Sequence, residues 1–144
     1  YPRYKLAKAG HSPEHFFRKW VLTYSHTASV EAVSSGLVDG ASVDSYIYNL
    51  TGVIHPELTG KTKIIEISPP FGFTPVVVRA NFPPKLKMKL RSVLVDMEKD
   101  PEGKKILKEL QLDGFIIGDD SLFDSVREMY RYINSFYQEK TLVR

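Results

Sequence analysis

The residue types best able to do chemistry are gathered in one short stretch. Thr23-Tyr24-Ser25-His26-Thr27 places a histidine between two hydroxyl residues, after an apolar run and before Ala28-Ser29-Val30-Glu31-Ala32-Val33. An imidazole can donate to an anion, and hydroxyls can donate or cap. The first turn of a following helix adds N–H groups that have no intrahelical acceptor. The competing reading is a solvent-facing turn whose polar residues only cap the helix. His11, His15 and His55 fall on loops or helix starts, and no pair has the spacing of a metal-binding helix motif. There is no G-x-S-x-G elbow, no glycine-rich phosphate loop and no persuasive carboxylate pair. Asp119-Asp120 reads as a helix cap and Ser34-Ser35-Gly36 as a helix end. The expectation is binding without catalysis, with no catalytic residue, metal or cofactor. Tyr24, Tyr46, Tyr48, Phe71 and Phe73 sit at expected strand ends and connectors, where they suit a pocket wall or a core rim.

The elements that must position His26 follow from periodicity. Segments 20–23, 38–43, 63–67 and 76–78 are rich in residues that favour extended structure, and the pattern predicts strands there. Around them, residues 1–9 read as a helix stopped by Gly10, and Ser12-Pro13-Glu14 opens a single turn. Ser25 or Thr27 caps a helix ended by Gly36. Asp44 or Ser45 opens another, and His55-Pro56 a further turn. Ser68-Pro69-Pro70-Phe71-Gly72-Phe73-Thr74-Pro75 forbids regular structure and makes a stiff connector. Leu86, Leu90, Val93, Leu94 and Met97 form a helical stripe, Asp100-Pro101-Glu102 restarts a helix, and Leu122 to Tyr137 gives the last one. Strand and helix alternate in the first half, so the expected fold class is α/β, a small mixed sheet flanked by helices.

Composition sets wider bounds. The 144 residues can build one domain with a core, and 42% hydrophobic with 26% charged is ordinary for a globular chain. The absence of cysteine excludes disulfides and thiol chemistry. The net charge of +3 favours anions mildly. Its excess lysines interleave with apolar residues at helical spacing, as on solvated helix faces, so no nucleic-acid partner is expected. No apolar run reaches the roughly 18–20 residues of a membrane span.

Several ordered motifs resemble one family. Ser25-His26-x-x-Ser29-Val30-x-Ala32-Val33-x-x-Gly36-x-Val38-Asp39 is similar to a segment of the phosphate/phosphite/phosphonate ABC-transporter substrate-binding proteins. Ser68-Pro69-Pro70-x-x-x-x-Pro75-Val76-Val77 resembles that family's return crossing. Asp100-Pro101-Glu102-Gly103-x-x-Ile106-Leu107, then Asp113-Gly114-Phe115, resembles its C-terminal helices, and Asp124-Ser125-Val126-Arg127 matches its tail. The resemblance implies a two-lobed periplasmic-binding fold of which this chain is the C-terminal half. Residues 1–74 would form a second-lobe segment ending in a hinge crossing, and 75–144 the return segment with helices of the first lobe. The phosphoryl-gripping Ser/Thr-rich loop would lie before Tyr1, and the surface left by the missing lobe would favour self-association. It further implies a periplasmic location, an ABC-transporter permease as partner, and a small phosphorus oxyanion as ligand. Ser25, His26, Tyr46, Phe73 and Thr74 would be its binding residues. Tyr46 and Thr74 stand where aminophosphonate binders carry acids, which points to a ligand with a small or uncharged tail. The same module resembles extracytoplasmic sensor domains of bacterial signalling receptors, whose partners would be signalling domains.

Overall fold

The computed structural model describes residues 1–142, with side chains described through residue 138. In chain order the helices are α1 (Pro2–Lys8), α2 (Pro13–Phe16), α3 (His26–Ser34), α4 (Ser45–Ile54), α5 (Pro56–Thr59), α6 (Pro84–Val95), α7 (Pro101–Glu109) and α8 (Asp124–Leu142). Short 3-10 turns occupy Asp96–Lys99 and Asp120–Phe123.

Local chemistry explains where these helices start and stop. Proline stands in the first turn of α1, α2, α5, α6 and α7, where its missing N–H costs no helix bond. Side-chain oxygens of Ser25, Asp44 and Asp100 accept the N–H of Ala28, Ile47 and Gly103, so α3, α4 and α7 are capped. α1 and α3 end on Gly10 and Gly36, at φ +78° and +73°. Both make paired backward hydrogen bonds: His11 to Leu6 with Gly10 to Ala7, and Leu37 to Ala32 with Gly36 to Val33.

The chain divides into two compact units, Tyr1–Pro70 with Phe123–Arg144, and Phe71–Leu122. In the first, α3, α4 and α5 pack together around Val30, which is 2% exposed, with Ala32 and Thr51 also buried. The Thr51 hydroxyl is satisfied by the Ile47 carbonyl at 2.7 Å, and the Tyr48 hydroxyl meets that of Thr62 at 2.8 Å. α1 lies against α8, with the Tyr4 and Tyr132 rings edge-on at 5.4 Å and the Lys8 ammonium 4.9 Å from the Tyr132 ring centre. Glu66 is held to α1 by the Lys5 ammonium at 2.6 Å and the Tyr1 hydroxyl at 2.9 Å. Those two donors, Lys5 first, hold its carboxyl below the usual carboxylate range. In the second unit α6 leads through the 3-10 turn into α7, and Leu107 is the buried apolar side chain.

The expected α/β class with a small mixed sheet is not what the structure contains: among the described residues there are helices and no strand. The expected strands 20–23, 38–43, 63–67 and 76–78 lack helix and ladder alike, as does the apolar run 115–117. Their apolar side chains face solvent, Ile65 being 90% exposed and Val21, Leu22, Ile67, Val76, Val77, Ile116 and Ile117 all exposed. Composition and periodicity report the local preference for extended backbone. A strand exists only when its N–H and C=O groups meet those of a neighbour in register. That pairing is non-local, and no segment here receives it. The stripe of α6 departs from expectation in a related way, since Leu86, Leu90 and Val93 are exposed on a helix that forms as the periodicity predicts.

Candidate functional site

The site begins with a turn held rigid by hydroxyls. Tyr24 adopts φ +57°, a left-handed conformation unusual for a residue with a side chain, and its ring is 92% exposed. It reverses the backbone so that Ser25 can cap α3, its Oγ accepting the Ala28 N–H at 3.3 Å. The Thr23 hydroxyl donates to the Ser25 carbonyl at 2.9 Å and pairs with the Ser29 hydroxyl at 2.7 Å. The Ser29 oxygen also lies 3.1 Å from that carbonyl, so the two hydroxyl hydrogens are shared among three contacts. Buried Ser29 thus fastens the first turn of α3 to the residues before it.

His26 is the first residue of α3, and its side chain is exposed. Its Nδ1 accepts the backbone N–H of Asp44 at 3.1 Å. Asp44 is in turn the cap of α4, its Oδ1 accepting the Ile47 N–H at 3.0 Å. The imidazole therefore ties together the N-terminal ends of two packed helices, nine and ten residues long. Neither helix carries an acid in its first turn. The partial positive charge of the α3 end, its early N–H groups and the outer nitrogen of His26 share one corner, beside the α4 start that the Asp44 carboxylate caps. Such a corner can take hydrogen-bond acceptors carrying negative charge.

Among the sequence-predicted residues, Ser25 and His26 are adjacent at this corner, and Tyr46 lies in the first turn of α4, two residues past Asp44 and partly buried. Phe73 and Thr74 belong to the other unit, on the irregular segment 71–79, and both are exposed there. The remaining histidines are engaged locally. His15 Nδ1 meets the Ser12 hydroxyl at 2.9 Å, His55 Nδ1 lies 3.3 Å from Glu57, and His11 packs beside Phe16. Among the described residues no three His, Asp or Glu side chains gather as a metal site would require. Sequence reasoning offered Asp44 or Ser45 as the cap and missed the Asp44 amide as the partner of His26. A hydrogen bond between residues eighteen apart leaves no periodic trace. Thr23 and Ser29 were also missed as a pair, although hydroxyls on both sides of a helix cap are a readable hint.

The arrangement offers donors and helix ends to a small acceptor-rich molecule. A family model described as ABC transporter, phosphonate, periplasmic substrate-binding protein matches residues 1–123, and the chain belongs to that family. The family is one of substrate-binding transport proteins, not a class of enzyme. It implies an extracytoplasmic location, a small-molecule ligand and a permease partner. Among the described residues no helix is long and apolar enough to cross a membrane.

Proposed function

We propose that this chain supplies one jaw of an extracytoplasmic clamp for a phosphorus oxyanion: phosphate, phosphite or a phosphonate with a small, uncharged tail. The observation that carries this reading is the single corner where His26 joins the starts of α3 and α4. In it, His26 donates to the phosphoryl oxygens. Ser25 and Tyr46 assist from the two helix starts, and Phe73 and Thr74, in the other unit, are assigned to the ligand by the family resemblance alone. The neutral side chains of Tyr46 and Thr74 cannot balance an ammonium group, which disfavours aminoalkylphosphonates. The second jaw comes from a separate lobe.

The test is titration of the chain with methylphosphonate, phosphite and phosphate, followed through amide shifts. We expect millimolar-range binding that moves the amides of Ser25, His26 and Thr27. A hydrogen bond to a charged group contributes about 1.5–3 kcal/mol, so His26→Ala should weaken it at least about tenfold. Sub-micromolar affinity would overturn the one-jaw assignment. Shifts that avoid residues 25–27, or survive His26→Ala undiminished, would overturn the site itself.

A further inference from the structure

His26 has two ring nitrogens, and only one is available to a ligand. Nδ1 lies 3.1 Å from the backbone nitrogen of Asp44 and receives its N–H. A backbone amide can only donate, so Nδ1 must present its lone pair, and the neutral ring carries its proton on Nε2. We infer that the Asp44 amide is a positioning group that locks His26 in the Nε2–H tautomer, making the corner selective for a deprotonated oxygen of the bound oxyanion. This rests on the reading of His26 as a ligand group.

The chemistry of the selection is direct. Nε2–H offers one hydrogen and no in-plane lone pair. A P–O⁻ oxygen accepts that hydrogen, whereas a P–OH group pointed at it brings a second hydrogen to a nitrogen that cannot accept it. The other tautomer would reverse the preference and would also place two hydrogens face to face between Nδ1 and Asp44. The bond fixes direction as well as protonation, because it anchors one side of the ring to the cap of α4 and turns the opposite nitrogen away from it. The Asp44 side chain does separate work: Oδ1 is engaged with the Ile47 N–H at 3.0 Å. The backbone of Asp44 thus serves His26 while its carboxylate serves the helix.

Those two roles can be separated by substitution. Asp44 has φ −62°, close to the value that proline imposes, so Asp44→Pro suits the backbone while deleting the N–H and the cap. Asp44→Ala deletes the cap alone. The experiment reads imidazole nitrogen shifts in mildly alkaline buffer, the through-hydrogen-bond coupling between the Asp44 nitrogen and Nδ1, and methylphosphonate titrations. Wild type and Asp44→Ala should both show the Nε2–H tautomer and the coupling, and Asp44→Ala sets the affinity against which Asp44→Pro is read, since both lack the carboxylate. Asp44→Pro should show mixed tautomers and binding weaker by about tenfold, the loss of one oriented charged hydrogen bond. An Nδ1–H or mixed ring in the wild type overturns the inference, and that measurement stands even if Asp44→Pro does not fold. An Nε2–H ring with binding indifferent to His26→Ala would instead overturn the ligand reading and leave the tautomer intact.

Discussion

α3 and α7 are both nine-residue helices, each begun by a side-chain cap and ended by the same pair of backward hydrogen bonds, yet their N-termini suit different tasks. α7 starts with Asp100 as cap, Pro101 without an N–H, and Glu102 in the first turn. The carboxylate of Asp100 accepts the Gly103 N–H at 2.7 Å, so the positive end of that helix already faces negative charge. α3 starts with neutral Ser25, then His26 and Thr27, and has no acid in its first turn. Its donors still have capacity for an anion, and His26 ties it to the start of α4, which is itself closed by the Asp44 carboxylate as α7 is by Asp100. The same secondary structure is closed as a structural cap in one unit and left receptive in the other. A helix N-terminus becomes a binding element through the charge and donors around it.

Substitutions can sharpen or break that contrast, and the largest effects belong to the packing that holds each helix. Leu107 is 3% exposed and is the main apolar anchor of α7, so Leu107→Ala should cost about 3–4 kcal/mol in urea unfolding. Gly103→Ala should cost about 2–3 kcal/mol, because a Cβ there would collide with the backbone carbonyl of Met97. A neutral result would mean that α7 can shift off the preceding turn. The last comparison concerns the helix ends. α3 finishes on Gly36 at φ +73°, whereas α7 finishes on Gln111 at φ +54° with Gln111 bonded to Lys108 and Leu112 to Leu107. Gln111→Gly should therefore stabilise the chain by about 0.5–1 kcal/mol, and a loss of stability would show that the Gln111 side chain contributes more than its backbone strain removes.

Much of this contrast was legible in the sequence. Asp100 announced its helix, and Ser25 or Thr27 and Asp44 or Ser45 theirs, because a cap is a local bond spanning three residues; the structure chose Ser25 and Asp44, and Gly10 and Gly36 announced ends because glycine tolerates positive φ. Gln111 ends α7 in the same way without announcing it, since nothing in its own chemistry favours that conformation. His26 was legible as a polar residue at a helix start. The expected sheet was an error of the opposite kind: Ile64, Ile65 and Ile67 declare a preference for extended backbone, but whether a ladder forms depends on a partner elsewhere, and none forms among the described residues. By itself, then, the sequence determined which segments are helical and narrowed their caps to one or two residues, because each depends on interactions within one turn. Only the tertiary structure decided that the extended segments stay unpaired and that His26 Nδ1 meets the amide of Asp44, because both depend on packing that brings distant backbone groups to hydrogen-bonding distance or leaves them apart.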